Sequence, residues 1–398
     1  MRILIVVSTL NTGGAQRAAA NLSLGLSKYC DIDFLLNEAS DITYSYEGNI
    51  IDLGVTPVVD RLNLKYQTGV FFKRFAVLRR LKRSQKYDAV CSFLDSANIV
   101  NILTGKKYCK TIVSVHSVLS GTKVIKEYRH IVLPLVKLLY RHADRIVAVS
   151  RYVKDDLEKK IGLNGNNIVM IHNGFAVEEI RSKGSFPIEE DEKKLFERSF
   201  TIIAAGRLNW WKGFSHLIRA MKQVCKSIPD CMLVILGEGE ERDALQNTID
   251  ELNLGNNVIL KGFSDNPFMY IKRADVFVLS SIDEALPSVL IESLILSVPC
   301  VATDLPGSRE ILAPNTAMPD ELNDSFMEVQ YGILTPALGN QKKRLTDILT
   351  PEEILMAKAI CYLHDNRKAI NKFRIASREI QERYNIDTMA TEWMNVIV

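Results

Sequence analysis

Two cations and two carboxylates in the second half of the chain are spaced to handle a charged leaving group and a ligand rich in hydroxyls. After an apolar run, Ala204-Ala205-Gly206-Arg207-Leu208-Asn209-Trp210-Trp211-Lys212-Gly213-Phe214 reads as a strand end that passes through a glycine-bounded loop into a helix. Arg207 can grip phosphate oxygens as a bidentate fork, and Lys212 adds a compact point charge, so the pair can neutralise a diphosphate without a metal. A surface salt-bridge pair is the other use of such residues. A second apolar run leads into Ser280-Ser281-Ile282-Asp283-Glu284-Ala285-Leu286-Pro287-Ser288-Val289-Leu290-Ile291-Glu292. Pro287 suits a helix start, where Ser288, Val289 and Leu290 would present backbone N–H donors. Glu284 precedes that helix and Glu292 lies within it, and carboxylates are natural acceptors for the vicinal hydroxyls of a sugar or a ribose.

The first half carries a smaller set. Val7 ends an apolar run and Ser8-Thr9-Leu10-Asn11-Thr12-Gly13-Gly14-Ala15-Gln16-Arg17 leads into a helix, so Gly13 and Gly14 sit where a helix N-terminus exposes amides to an anion or a sugar hydroxyl. Taken alone, the pair reads more readily as a plain tight turn. Neither G-x-G-x-x-G nor a Gly-Lys-Ser/Thr phosphate loop is present, which argues against a nicotinamide enzyme or a nucleoside triphosphatase. His116 follows another apolar run, where a histidine serves either as a site group or as a satisfied structural residue. Trp210 and Trp211 are suited to stacking on a sugar or nucleotide, or to wedging domain against domain.

These residues need rigid elements to hold them. In the first half, strands are expected at Ile3–Val7, Ile32–Leu36, Ala89–Phe93, Thr111–Val115 and Ile146–Val149, with helices at Ala15–Tyr29 and Phe71–Ser84. The segment Ser182–Arg198, rich in charge, reads as a linker or surface hairpin. Alternation then resumes with strands at Thr201–Ala205, Cys231–Leu236, Val258–Leu260, Val276–Leu279 and Cys300–Ala302 and helices at Ser215–Ser227, Glu240–Leu252 and Val289–Leu296. Strand and helix in turn imply doubly wound parallel sheets. The expected division is 1–183, a linker 184–198, 199–366, and a C-terminal segment 367–398 whose helix returns to the first domain.

A chain of 398 residues with 47% hydrophobic side chains is long for one compact domain. The apolar start at Ile3 stops at Ser8, too short for an export signal, and no run is long enough for a membrane span, since even Ile131–Tyr140 holds Pro134 and Lys137. Seven cysteines without metal-ligand spacing read as free thiols of a reducing cytoplasm. Net charge is +3, but residues 1–183 hold 27 basic and 16 acidic side chains and the remainder 23 and 31. Lys73, Arg74, Arg79, Arg80, Lys82, Arg83 and Lys86 surround Phe71, Phe72, Phe75, Val77, Leu78 and Leu81, as in a basic amphipathic helix that meets an anionic membrane; a solvated helix face is the alternative.

Taken together, the motifs resemble the retaining glycosyltransferases of family 4, two-domain enzymes of the GT-B fold, over nearly the whole chain. The matching residues are Gly13-Gly14, Val115-His116-Ser117, Val149-Ser150-Arg151-Tyr152, Ile171-His172-Asn173-Gly174, Gly206-Arg207 with Lys212-Gly213, Gly237-Glu238-Gly239, and Glu284 with Glu292 in an E-x7-E signature. The resemblance implies two Rossmann-like domains facing a cleft. It further implies that Arg207 and Lys212 bind the donor diphosphate, Glu292 the ribose, and Glu284 the transferred sugar. Gly13-Gly14 would face the reacting centre, His116 would touch sugar or acceptor, and the base would lie near Lys261-Gly262-Phe263. Ala285 stands where the family usually has glycine, which bears on sugar identity because alanine has less backbone freedom.

The expected activity is transfer of a sugar, with retention, from a nucleoside diphosphate sugar to a glycan or polyprenyl-linked acceptor in cell-surface polysaccharide synthesis. UDP is expected as the nucleotide, from the resemblance alone. No metal or other cofactor is expected, no nucleic-acid partner, and the place of action is the cytoplasm or the inner face of the membrane. An epimerase or hydrolase on the same fold, and a non-catalytic glycan-binding protein, are the competing readings.

Overall fold

The computed structural model describes residues 1–11, 13–55, 64–84, 86–121, 132–340 and 348–398. Thr12 of the first glycine turn and Ile131 lie outside these described residues. The chain divides into two compact units, Met1–Ala176 with Tyr384–Val398, and Val177–Arg383.

Each unit is built on a seven-stranded sheet. The first contains β1 (Arg2–Val6), β2 (Asp31–Leu36), β3 (Asn49–Asp52), β4 (Ala89–Phe93), β5 (Lys110–Val115), β6 (Arg145–Ala148) and β7 (Ile168–Met170), in the order β3-β2-β1-β4-β5-β6-β7. All its pairings are parallel. The second contains β8 (Phe200–Ala205), β9 (Cys231–Leu236), β10 (Val258–Gly262), β11 (Val276–Leu279), β12 (Cys300–Thr303), β13 (Met327–Glu328) and β14 (Gly332–Thr335), in the order β10-β9-β8-β11-β12-β14-β13. Its one departure from parallel pairing is β13, antiparallel to β14 at the sheet edge.

Near-continuous apolar strands are what a parallel sheet covered on both faces demands, and β4, β8 and β9 are buried along their whole length. Strand order reverses beside the first strand of each sheet, between β1 and β4 and between β8 and β11. Loops leaving the carboxyl ends of strands at such a reversal border a crevice, the usual ligand site of open α/β sheets. The loops that carry Gly13, Arg207 with Lys212, and Glu284 leave β1, β8 and β11; His116 follows β5.

Several expectations change in detail. The segment 184–198 is not a bare linker: it carries a short helix, Glu190–Lys193, and belongs to the second unit. Glu192 of that helix ion-pairs with Lys261 at 2.6 Å and accepts a hydrogen bond from Tyr270. The C-terminal segment 367–398 is divided: two helices, Arg367–Ala376 and Arg378–Arg383, stay with the second unit. A further helix, Ile386–Ile397, packs in the first unit against the helix Gly14–Leu26, where Gly25 faces Ala390. The chain returns to the first unit through Phe175, whose N–H donates to Tyr384 O at 2.8 Å while its own carbonyl accepts from Ile386 N at 3.1 Å.

Candidate functional site

In the second unit the loop after β8 is shaped by backbone contacts. Gly237 has φ +137, and a Cβ there would lie 1.9 Å from Gly206 O, so the two backbones touch where no side chain fits. Leu208 N–H donates to Glu238 O, and Glu241 N–H to Leu208 O. The Gly237-Glu238-Gly239 turn is therefore a support for the Arg207 loop. Trp210–Lys212 forms one 3-10 turn that ends at Gly213, left-handed at φ 63. A Cβ on Gly213 would lie 2.0 Å from Ser280 O, so this glycine lets the loops after β8 and β11 abut. Ser280 Oγ donates to Lys212 O at 2.9 Å, and Ile282 N–H to Trp211 O at 2.8 Å.

This contact brings the predicted charges together. Lys212 Nζ ion-pairs with Glu284 Oε1, an oxygen that also accepts from Ser281 Oγ at 3.1 Å. Both side chains are largely shielded from water. Arg207 differs from Lys212: its side chain is 69% exposed, with Nε 3.3 Å from Glu240 Oε2. The loop thus presents one shielded cation and one that reaches into solvent.

Leu286 and Pro287 are buried and introduce the helix Ser288–Ile295. Leu290 N–H already donates to Pro287 O at 3.1 Å, so the amides of Ser288 and Val289 are the donors at that terminus. Glu292, 2% exposed, lies inside the helix, whereas Glu284 sits in the loop before it. Ala285 is not among the residues forced to positive φ, so replacing the usual glycine brings no backbone strain. Gly262 closes β10 at φ +89, and its carbonyl accepts from Gly237 N–H at 2.8 Å. Phe263 beside it is 65% exposed.

The first unit carries its expected residues at the equivalent strand ends. Gly13 caps the helix Gly14–Leu26, but its N–H donates to Tyr44 OH at 3.2 Å, so of the two expected amides Gly13's is occupied. Arg17, in the first turn of that helix, lies over the rings of Tyr44 and Phe175. The sequence signal for Arg17 is a cation where the helix dipole disfavours one; Tyr44 has no local signal at all. His116 shares a hydrogen bond with Ser114 Oγ at 2.9 Å and packs on Phe93, which in turn stacks on Trp393 of the last helix at 6.1 Å. Burial pushes the His116 pKa down to about 3, so the ring is neutral and offers hydrogen bonding without charge.

Other motifs prove to be joints. Ser150 Oγ accepts from Val153 N–H and caps the helix Arg151–Asp155. Gly174 O accepts from Asn21 Nδ2 at 2.7 Å, and Gly174 N–H meets Met389 Sδ, which ties Ile171–Gly174 to both the first and the last helix of this unit. The basic helix spans Leu64–Arg83. Its expected basic face is corrected at two positions: Arg74 and Lys82 are buried, Arg74 against Asn37 and Ser96, and Lys82 on Asn101 O, Gly105 O and Thr111 Oγ1. Lys73, Arg79, Arg80, Arg83 and Lys86 remain exposed, with Phe72 beside them at 67%.

Among the described residues no helix is long and apolar enough to cross a membrane, and no three histidine, cysteine or acidic side chains gather as a metal would require. Residues 12–179 match the model of Glycosyltransferase Family 4, and residues 186–319 that of Glycosyl transferases group 1. The chain is 30% identical over 338 residues to an uncharacterized glycosyltransferase of Methanocaldococcus jannaschii, covering 82% of each. It is 29% identical over 312 residues to N-acetylgalactosamine-N,N'-diacetylbacillosaminyl-diphospho-undecaprenol 4-alpha-N-acetylgalactosaminyltransferase of Campylobacter jejuni, covering 77% of this chain and 82% of that one. Among solved structures, Anabaena HepE in complex with UDP and glucose superposes with a TM-score of 0.73 at 17% identity, covering 99% of this chain and 98% of HepE. Sucrose-phosphate synthase of Thermosynechococcus elongatus gives 0.77 at 18%, with the same coverage.

Proposed function

Since the chain belongs to the glycosyltransferases and has the GT-B fold, we propose that it moves a sugar, with retention of configuration, from a UDP-sugar to a polyprenyl-diphosphate-linked glycan. The observation that carries this reading is the meeting of Lys212 and Glu284 on adjacent loops at the β8/β11 reversal. A diphosphate would draw Lys212 away from Glu284 and leave the carboxylate to accept sugar hydroxyls. One contact thus prepares both halves of a nucleotide-sugar site.

In this reaction the bond from the anomeric carbon to the diphosphate breaks and a bond from that carbon to an acceptor oxygen forms on the same face. The acceptor's proton passes to the departing phosphate oxygen. Negative charge grows on the leaving group, where Lys212, Arg207 and the amides of Ser288 and Val289 would supply positive charge and hydrogen bonds; preorganised charge of this kind lowers a barrier. Glu292 holds the ribose, and neutral His116 binds by hydrogen bonds alone. The lipid-linked acceptor is supported by the Campylobacter relative, named for a diphospho-undecaprenol substrate, and by the exposed basic residues of the helix Leu64–Arg83.

The test is incubation with a panel of UDP-sugars and undecaprenyl-diphosphate-linked saccharides, read by mass spectrometry, with the product's anomeric configuration read by NMR. A saccharide one sugar longer, with the donor's configuration, is expected. Free sugar and UDP without transfer would indicate a hydrolase, and an inverted product would refute retention.

A further inference from the structure

Behind the Arg207–Lys212 loop, within the second unit, lies a charge cluster that the transfer reaction does not itself use. His216, Arg219 and Glu353 are 2%, 3% and 0% exposed. Glu353 Oε1 accepts from His216 Nδ1 at 2.8 Å and Arg219 Nε at 2.9 Å, and Oε2 accepts from Arg219 Nη2 at 3.2 Å and Thr350 N–H at 2.9 Å. Burial opposes ionisation of Glu353, yet the hydrogen bonds from His216, Arg219 and Thr350 hold its carboxyl below the usual carboxylate range.

Glu353 belongs to a capping box with Thr350 at the start of the helix Pro351–Asp365. A capping carboxylate has only its own helix end to satisfy; this one also reaches the first turns of another helix, Phe214–Ser227, through His216 and Arg219 on one face. That second helix begins directly after Lys212-Gly213. Trp210, in the same 3-10 turn as Lys212, rests its indole on the His216 ring at 5.7 Å, and its Nε1 donates to Asn340 Oδ1 at 2.6 Å. The turn is therefore seated on His216 from behind while Ser280 Oγ holds the Lys212 carbonyl from the side. Well-packed apolar residues of similar volume often serve stability as well as a buried ionic cluster or better, so stability alone is a weak reason to keep one; a fixed geometry is a better-founded one.

We infer that Glu353, His216 and Arg219, with Trp210, form a positioning device that fixes the Lys212 turn for a diphosphate ligand. The inference rests on the donor reading proposed above. In Glu353→Gln the carboxylate charge is lost at nearly constant size; in Trp210→Leu the indole is lost from a half-buried position while the buried cluster stays whole. Circular dichroism first establishes which variants fold.

Three readouts then apply. Hydrogen exchange of the peptide covering residues 204–213 is expected to quicken at least fivefold in a folded variant. Calorimetric titration with UDP is expected to show at least fivefold weaker binding, and the donor KM to rise with the acceptor KM unchanged. Unchanged exchange in Trp210→Leu, with UDP binding within twofold of the parent chain, overturns the inference, whether or not Glu353→Gln folds. If the parent chain itself fails to bind UDP, the donor reading falls, and the exchange measurement still decides the positioning role.

Discussion

Lys212 Nζ and the Glu284 carboxylate neutralise one another across the junction of the loops after β8 and β11, with side chains 23% and 15% exposed. At that degree of shielding the pair is coupled more strongly than a surface ion pair, whose contribution is near zero. Removing either partner leaves the other charge poorly solvated, so functional and structural effects have to be separated by measurement.

Lys212→Ala is expected to lower turnover at least tenfold, because taking a cation from a leaving-group site costs on the order of 2–4 kcal/mol of barrier stabilisation. Arg207→Ala is expected to fall by a similar factor with no change in melting temperature, since its side chain is mostly in solvent. Steady-state kinetics beside thermal melts check both. Near-normal turnover in either folded variant removes that residue from the diphosphate site.

Activity is expected to persist in excess EDTA, because on the proposed reading Lys212 and Arg207 would supply the positive charge that a divalent ion supplies in metal-dependent transferases. Turnover abolished by the chelator and restored by magnesium or manganese would overturn this.

Gly213→Ala tests the junction itself. A methyl group there would sit 2.0 Å from Ser280 O at a backbone φ of 63, so the variant must carry both left-handed strain and displacement of the β11 loop. A loss of about 1–3 kcal/mol in stability is expected from the strain, with donor binding weakened further than the melting temperature alone accounts for. Urea unfolding and UDP titration on the same preparation check it; a variant that binds and melts normally would show that the loops need not abut.

How far the sequence revealed these features depends on how local their signals were. Strands β9 and β11 are legible because runs such as Cys231–Leu236 are apolar without a break, as a sheet covered on both faces requires. β3 is short and partly exposed along its length, so it carries no such run. The Lys212–Gly213 pair is legible as type and order, but its contact with Ser280 is a tertiary fact. The basic helix shows a different limit. Arg74, Leu78 and Lys82 recur at four-residue spacing and so share one face, which is the buried one; counting charges hides this, whereas the helical period exposes it. Tyr44, which takes the Gly13 amide, comes from a distant loop and leaves no trace near the turn.

His116 gives a pH prediction with a definite sign. Its pKa falls from 6.5 to about 3 because burial disfavours the charged ring. Between those values the unfolded chain binds a proton that the folded chain does not, so the His116 contribution is undiminished above pH 6.5 and lost progressively as pH falls toward 3. Stability from chemical denaturation at pH 7.5 and 5.5 is expected to drop with acid in the parent chain and to drop less in His116→Gln. Turnover is expected to show no limb from His116 above pH 5. An equal drop in both proteins, or the His116 ring proton titrating near 6.5 by NMR, would overturn it.

The last prediction concerns the exposed side of the helix Leu64–Arg83. Lys73, Arg79, Arg80 and Arg83 face solvent beside Phe72, whereas Lys82 is bound by two carbonyls and a hydroxyl in the core. An anionic bilayer attracts each basic residue near its surface by about 1 kcal/mol, and salt screens the attraction. Reversing these four residues to glutamate while leaving Lys82 in place is therefore expected to release the protein from phosphatidylglycerol vesicles, with UDP binding retained. Lys82→Glu alone is expected to unfold the first unit, because it places a carboxylate among carbonyl oxygens that accept hydrogen bonds and donate none. Co-sedimentation in low and high salt, with circular dichroism on each variant, separates the two outcomes. Vesicle binding that survives the four reversals, or that ignores salt, would show the exposed residues to be a solvated face and no more.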